Sequence, residues 1–219
     1  ARMTGPPQVL RSDIVSDVVC PWCIIGYRQL AKALEAAGTA HEIHWHPFEL
    51  NPSMPPEGQN LREHLAEKYG VTPAQSEENR LRITEIGAEL GFAFRFADDM
   101  RTHNTYNVHQ LLHWANQHGR THQLKQALFA AHFTERQNLS DPAVLADVAE
   151  GIGLDKDEAL SVLADQRFAT EVRQAENDWL SQGISAVPAI VFNQRYLVSG
   201  AQGVDNYANI LEQLAEQQD

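Results

Sequence analysis

Cys20-Pro21-Trp22-Cys23 follows the β-branched stretch Ile14-Val15-Ser16-Asp17-Val18-Val19, and this junction decides the fold of the 219-residue chain. Residues 9–19 predict a strand that ends at an exposed loop, because β-branched side chains favour strands. The segment up to about residue 37 predicts a helix, because its apolar residues recur at intervals of three and four and Gly38 can cap its end. The cysteines are therefore expected at a strand-to-helix junction.

A second strand and a long helical segment come next. Residues 41–50 alternate apolar and polar side chains and end at the loop signal Asn51-Pro52, which predicts a strand. Between about residues 61 and 168, strand patterns vanish and helix starts and stops accumulate. Thr72-Pro73-Ala74-Gln75 combines an N-cap, an N-terminal proline and a capping-box glutamine before a helix that ends near Gly91. Further helices are predicted over residues 104–118 and 121–136, and from Asp141 to Gly151 or Gly153.

The last quarter of the chain returns to a mixed pattern. A helix is predicted over residues 168–182, then a buried strand over residues 189–192. Asn193-Gln194 predicts a hairpin turn into a strand over residues 195–199, and a final amphipathic helix follows Gly203. The predicted fold is α/β, in the order β-α-β, helical insertion, α-β-β-α. Its three segments are residues 9–52, 53–167 and 168–217.

Cys20 and Cys23 are the only cysteines in the sequence, and their spacing permits a reversible disulfide. Two cysteines three positions apart at a helix start can join without large backbone movement. Cys20 would face the unpaired N–H groups and the positive dipole end of the helix, which stabilise a thiolate. Cys20 is therefore the predicted nucleophile. Cys23, one turn further inside, is the predicted resolving thiol that attacks the mixed disulfide.

Two other interpretations of the cysteine pair stay open in the sequence. The cysteines could be buried apolar residues, or half of a zinc site completed by histidines. His109 and His113 share a helix face, and His44 and His46 share a strand face. Gln110 stands where a zinc protease would hold its glutamate base, so solvent-facing or groove-lining histidines are favoured. No bound metal is predicted.

Several further motifs accompany the cysteine pair, and together they carry a family resemblance. With Ser16 to Cys23, a helical insertion, and Val187-Pro188 before a strand, nearly the whole chain resembles the DsbA-like branch of the thioredoxin superfamily. Within it, the sequence is most similar to predicted dithiol-disulfide isomerases of the FrnE type. The resemblance implies a thioredoxin fold with an inserted all-helical subdomain, and a protein dithiol-disulfide oxidoreductase. The other matching motifs are Pro47-Phe48-Glu49-Leu50-Asn51-Pro52, Asn104-Thr105 with His109, and Ser199-Gly200-Ala201-Gln202.

The resemblance also implies roles for individual residues. Pro188 matches a proline that is cis in this superfamily and sits against the cysteines, which would leave the Val187 backbone free to pair with an extended substrate. A trans proline that opens a buried strand is the alternative. Asn104 and His109 match a motif on the insert helix that roofs the thiol groove, which implies substrate contacts; an N-cap is the alternative for Asn104. Gly200-Ala201-Gln202 lies where related folds receive a peptide or glutathione, so glutathione is a candidate co-substrate and no other cofactor is predicted.

The residues around the cysteines predict how reactive they are. Pro21-Trp22 carries no charge, so the Cys20 thiolate lacks the cation that a histidine in this loop would supply. We therefore expect a less oxidising couple than in strongly oxidising periplasmic relatives. Pro21 and Trp22 are predicted substrate contacts, with Trp22 as an apolar rim. Asp17 could disfavour a nearby thiolate, relay the proton of Cys23, or be an exposed cap before the helix.

Composition limits the partners of the chain. Twenty-nine Asp and Glu against 17 Lys and Arg give a formal net charge of -12, which repels nucleic acids and anionic membranes. The first eight residues lack the apolar core of a secretory signal, so a cytoplasmic location is expected. The expected partners are a protein or small-thiol substrate and a redox partner.

Two other functions remain compatible with the sequence. Glutathione-dependent isomerases and transferases of the same architecture include 2-hydroxychromene-2-carboxylate isomerase and the kappa glutathione transferases. These relatives typically carry a serine at the position that matches Cys20, so the intact pair favours thiol exchange. A binding or chaperone module that uses the groove without turnover is the third possibility.

Overall fold

The structure, a computed structural model, describes residues 8–217. The N-terminal stretch considered as a targeting signal therefore lies outside the described residues except for Gln8. The chain begins with strand β1 (Leu10–Ser16), helix α1 (Pro21–Ala37) and strand β2 (His41–Pro47). β1 and β2 are parallel, and Gly38 ends α1 in the left-handed conformation, as predicted. Both strands are shorter than predicted. β1 ends at Ser16, where the chain turns into the loop that carries the cysteines, and β2 ends at Pro47, the partner of Ser16.

The insertion is mainly helical, and its helix starts follow the capping rules. The predicted capping box is present, with Thr72 accepting a hydrogen bond from the Gln75 N–H and Gln75 accepting one from the Thr72 N–H. Helices α2 (Leu61–Tyr69) and α7 (Lys156–Asp165) and the two-residue ribbon of β3 (Gln59–Asn60) with β4 (Arg101–Thr102) were not predicted individually, since short segments carry little periodicity. The elements of the insertion are β3 (Gln59–Asn60), α2 (Leu61–Tyr69), α3 (Pro73–Glu89), β4 (Arg101–Thr102), α4 (Tyr106–Gln117), α5 (Thr121–Phe133), α6 (Pro142–Gly151) and α7 (Lys156–Asp165).

The C-terminal part completes the sheet. The strand order is β2-β1-β5-β6, where β5 is Ala189–Phe192 and β6 is Tyr196–Ser199, and β5 is antiparallel to both β1 and β6. Asn193 and Gln194 have φ angles of 51° and 58°, the left-handed pair of a type I′ turn, and Phe192 pairs with Tyr196, so the strand begins one residue later than predicted. The predicted hairpin is confirmed. The elements are α8 (Ala169–Ser181), β5 (Ala189–Phe192), β6 (Tyr196–Ser199) and α9 (Val204–Glu216).

The cysteine motif lies where two apolar cores meet. α1 and α9 pack on one face of the sheet around Ile14, Leu30 and Tyr207. Cys20 and Cys23 belong to the core of the insertion, which continues through α4 and α5. Since burial of apolar area is the main stabilising contribution, the insertion and the motif hold each other in place. Within residues 8–217, no helix has both the length and the apolar character needed to cross a bilayer.

Candidate active site

The two cysteines lie at the start of α1, and Cys23 is the more buried of the two, as predicted. Cys20 is the N-cap residue and Pro21 takes the first helical position, where its missing N–H costs no hydrogen bond. Both thiols are free, and the two cysteines approach to 3.3 Å. Cys20 is 6% exposed and Cys23 is fully buried. The pair can therefore form a disulfide with small movements, and Cys20 is the one that a substrate can reach.

A loop from the other end of the chain lies against Cys20. The Val187–Pro188 peptide bond is cis, as the resemblance predicts. Cys20 Sγ lies 3.9 Å from the carbonyl oxygen of Val187. A Cβ added to Gly26 would lie 3.2 Å from Cγ of Pro188, so the glycine in α1 lets this helix pack closely on the loop. Two segments distant in sequence, the start of α1 and the Val187–Pro188 loop, thus meet at one thiol.

Asp17 is buried beneath the motif, so its interpretation as an exposed cap is wrong. Its carboxylate accepts hydrogen bonds from the N–H groups of Val18 and Leu50, both at 2.9 Å, from the Thr105 hydroxyl at 3.0 Å, and from His109 Nε2 at 3.1 Å. Burial raises the pKa of Asp17, but the bonds and charge of His109 and the Leu50 N–H outweigh it, and the pKa falls below its usual value. The loop after β1 turns under the insertion, which carries Asp17 inward.

Asn104 and His109, the two implied substrate contacts on the insertion, point to structural partners. His109 on α4 is buried against Asp17 instead of facing solvent or a groove beside Cys20. The Asn104 amide donates to the carbonyl of Met54 at 3.1 Å, and its oxygen accepts from the Tyr106 N–H at the start of α4. The N-cap of α4 is Thr105, so the N-cap alternative for Asn104 is wrong, and its bond to the Tyr106 N–H comes from one residue before the cap. His109 ties the insertion to the loop before the motif, Asn104 bonds within the insertion, and neither lines the cavity beside the thiol.

Lys125 on α5 is a buried cation that the sequence analysis missed. Burial lowers its pKa to about 8, while the negative charges of Cys23, Asp17 and Cys20 raise it. Burial and the neighbouring Cys20 raise the pKa of the Cys23 thiol well above its usual value, and Lys125 acts in the opposite direction. The signal was present in the sequence, because Lys125 precedes Phe129 by four positions and so shares the apolar face of a helix.

A cavity of about 370 Å³ opens beside Cys20, between the motif and helices α2 and α3. Pro21, Trp22 and Val187, three of the predicted substrate contacts, lie on its wall. Trp22 is half-buried, with the Arg82 guanidinium 5.6 Å from its ring centroid. The cavity gives a substrate sulfur access to Cys20. The rest of the wall is lined by Leu61, Leu65, Lys68, Tyr69, Arg80 and other residues of the insertion.

The histidines form no metal centre within the described part of the chain. Among residues 8–217, no group of three or more His, Cys, Asp or Glu side chains is placed to hold a metal ion. His46 bonds to Asp13 at 2.7 Å, and His44 lies 3.3 Å from Glu42. These strand histidines have local carboxylate partners.

Comparison with known proteins agrees with this geometry. Residues 13–212 match the family described as DSBA-like thioredoxin domain. The chain belongs to that family. The predicted thioredoxin fold with a helical insertion is thereby confirmed, and the family is one of thiol oxidoreductases.

The similar proteins cover nearly all of this DsbA-like chain. A structure described as a "probable DsbA oxidoreductase" from Streptomyces coelicolor is 32% identical, with a TM-score of 0.89 over 96% of this chain and 92% of that one. The uncharacterized protein YwbO of Bacillus subtilis is 28% identical over 193 residues, which are 88% of this chain and 90% of that protein. The cytosolic disulfide reductase DsbM of Pseudomonas aeruginosa with GSH shares the fold, with a TM-score of 0.64 and 17% identity over 94% of this chain and 99% of that one.

Proposed function

We propose that this DsbA-like protein is a dithiol-disulfide oxidoreductase in which Cys20 is the nucleophile and Cys23 the resolving thiol. The observation that carries the proposal is the asymmetry of the pair. Cys20 caps a helix beside an open cavity, whereas Cys23 lies fully buried behind it. A helix N-terminus stabilises the thiolate that must attack first.

The proposed reaction proceeds by two thiol-disulfide exchanges. The Cys20 thiolate attacks one sulfur of a substrate disulfide, which forms a mixed disulfide and releases one substrate thiolate. Cys23 then loses its proton and attacks the Cys20 sulfur, which releases the second substrate thiolate and leaves a Cys20–Cys23 disulfide. Two electrons pass from the protein to the substrate, and an external dithiol returns them. The reverse sequence oxidises a substrate dithiol, and release after the first exchange permits isomerisation.

The loop at Val187 and Pro188 supplies the proposed place for the substrate backbone. Val187 lies against the Cys20 sulfur and also lines the cavity. An extended substrate segment that pairs with the Val187 backbone would bring its sulfur in line with Cys20. Pro21 and Trp22 would contact the same segment from the helix side.

We also propose glutathione as a co-substrate and the cytoplasm as the location. Support comes from DsbM, whose description names a cytosolic disulfide reductase with GSH. The uncharged Pro21-Trp22 pair supports a couple that is less oxidising than one with a cation in this loop. Equilibration with glutathione buffers, followed by alkylation of the remaining thiols, measures the potential. A strongly oxidising reduction potential would contradict the proposal that this couple is less oxidising.

Insulin reduction in the presence of dithiothreitol tests the central proposal. The unaltered protein should accelerate precipitation of the insulin B chain, Cys20→Ser should abolish the acceleration, and Cys23→Ser should accumulate the mixed disulfide. Ser181→Ala, an exposed change at the end of α8, is the control. If the unaltered protein binds reduced insulin without accelerating its reduction, the binding-module interpretation replaces the enzymatic one.

A further inference from the structure

The cavity beside Cys20 is cationic in a strongly acidic protein. The chain has a net charge of -12, yet no Asp or Glu is among the described residues that line this cavity. Lys68 from α2 and Arg80 and Arg82 from α3 contribute positive charge to its wall. A patch of one sign within low-dielectric walls attracts ligands of the opposite sign.

Arg80 offers two donors that the protein leaves unused. Its side chain is buried, with the residue 9% exposed, and Nη1 lies 3.6 Å from Asp98. Nε and Nη2 are buried and have no hydrogen-bond partner within residues 8–217. These two nitrogens form the side of the guanidinium that binds a carboxylate through two parallel hydrogen bonds. Ser76, one turn earlier on the same cavity wall, also has an unpartnered hydroxyl.

The other two cations lie nearer to the surface of the protein. Lys68 Nζ is held by the carbonyl oxygen of Leu50 at 2.8 Å and by Asn51 Oδ1 at 2.9 Å, both neutral acceptors. Arg82 is exposed and packs over the Trp22 ring, next to Cys20. Their charges therefore lie on the route that a ligand takes to the thiol.

We propose that this cavity binds the carboxylate of a small anionic thiol or disulfide, with the fork of Arg80 as its anchor and Lys68 and Arg82 as attracting charges. A volume of about 370 Å³ suits a small molecule. This inference rests on the proposed function, because the bound sulfur reacts with Cys20. The Cys20 thiolate displaces one thiolate of the anionic disulfide, and Cys23 displaces the other, as in the exchange above.

Three small disulfides of different charge test the proposal: dithiodipropionate, which is anionic, bis(2-hydroxyethyl) disulfide, which is neutral, and cystamine, which is cationic. The reduced protein is mixed with each one, quenched with acid, and alkylated, and the rate of Cys20–Cys23 oxidation is read by mass spectrometry. Each rate is divided by that of dithiothreitol with the same disulfide, which removes intrinsic reactivity. Dithiodipropionate should then be favoured at least about tenfold over the neutral compound, the size of one charge-assisted contact.

Variants assign the preference to particular side chains. Arg80→Gln should remove most of the preference, measured as the ratio of the anionic rate to the neutral rate within the same variant. The double variant Lys68→Gln/Arg82→Gln changes only exposed side chains and leaves the buried Arg80 in place, and it should reduce the same ratio. Arg195→Gln, on the distant hairpin, is the matched control and should change none of the three rates.

Two different failures are distinguishable. Equal normalised rates for the anionic and neutral disulfides, or a preference that survives both sets of variants, would overturn the carboxylate site while leaving the thiol chemistry intact. Absence of oxidation by all three compounds would instead remove the proposed function itself.

Discussion

At the scale of single residues, Cys23 poses the chemical problem of the site. It must lose a proton before it attacks the mixed disulfide, yet burial and its neighbour Cys20 raise its pKa. Lys125 is the cation whose charge favours the Cys23 thiolate, and it lies buried in the same core. Asp17 and His109 are joined by a hydrogen bond of 3.1 Å, and the charge of Lys125 also acts on Asp17. These three residues are therefore candidates for positioning roles behind the reacting sulfurs.

Lys125→Met should slow resolution of the mixed disulfide at least about tenfold at pH 7, because a buried thiol that loses its cation ionises less readily. The pH at which resolution reaches half of its maximal rate should rise, since Lys125 lowers the pKa of Cys23. Stopped-flow quenching of the mixed disulfide across pH 6 to 10 measures both effects. Lys32→Met, an exposed change on α1, is the control, and an unchanged pH profile in Lys125→Met would contradict the role.

Alkylation should discriminate between the two cysteines. Iodoacetamide at neutral pH should label Cys20 first and leave Cys23 largely unmodified, because Cys20 faces the cavity while Cys23 is fully buried with a raised pKa. Peptide mass spectrometry at successive times measures the two rates. Labelling of the Cys20→Ser variant reports Cys23 alone, and equal rates for both thiols would show that the order of attack proposed above is wrong.

At the scale of elements, the β5–β6 hairpin positions the loop that carries Val187 and Pro188. Its turn places Asn193 and Gln194 in the left-handed region. Glutamine is poorly suited to that conformation, because its Cβ approaches the following carbonyl oxygen. The hairpin therefore keeps a local strain that glycine would relieve.

Gln194→Gly should raise the free energy of unfolding by about 0.5–1 kcal/mol, the relief of left-handed strain less the added flexibility of the unfolded chain. Urea unfolding followed by circular dichroism measures the difference. Gln182→Gly is the matched control, since Gln182 is also exposed but has a φ of -83°. It should leave stability unchanged or lower it, and equal gains from both changes would exclude strain as the cause.

At the scale of the whole molecule, buried neutral histidines make the fold sensitive to acid. Burial lowers the pKa of His132 to about 3, and both of its ring nitrogens lack a hydrogen-bond partner within residues 8–217. Burial also lowers the pKa of His46, His64, His103 and His122. Below pH 6.5 the unfolded chain takes up protons on these groups that the folded chain does not, so stability falls as pH falls.

His132→Leu should flatten this loss of stability between about pH 6.5 and 3, because the unfolded state of the variant no longer gains that proton. The effect at the lower end of the window should be on the order of a few kcal/mol. Urea unfolding at several pH values measures the slope. His41→Leu, an exposed change, is the control, and parallel curves for the wild type and His132→Leu would contradict the assignment.

The sequence by itself determined the order of the main elements and the position of the cysteines, because periodicity, caps and turn residues are local properties. The helix after Cys20, the capping box at Thr72 and the turn at Asn193 all follow from neighbours within a few positions. The short β3–β4 ribbon and helix α2 could not be predicted, since segments of so few residues do not show a clear repeat of apolar side chains. The family resemblance added Pro188, whose cis bond no local rule requires.

Only the tertiary structure decided what surrounds the thiols. Asp17 and His109 are 92 positions apart and meet because α4 folds over the end of β1. Lys125 joins them from α5, and Arg80 and Lys68 reach the cavity from two further helices. Such contacts depend on how helices pack, which is set by burial of whole faces. The spacing of Lys125 and Phe129 indicates a shared helix face, but not which residues that face meets.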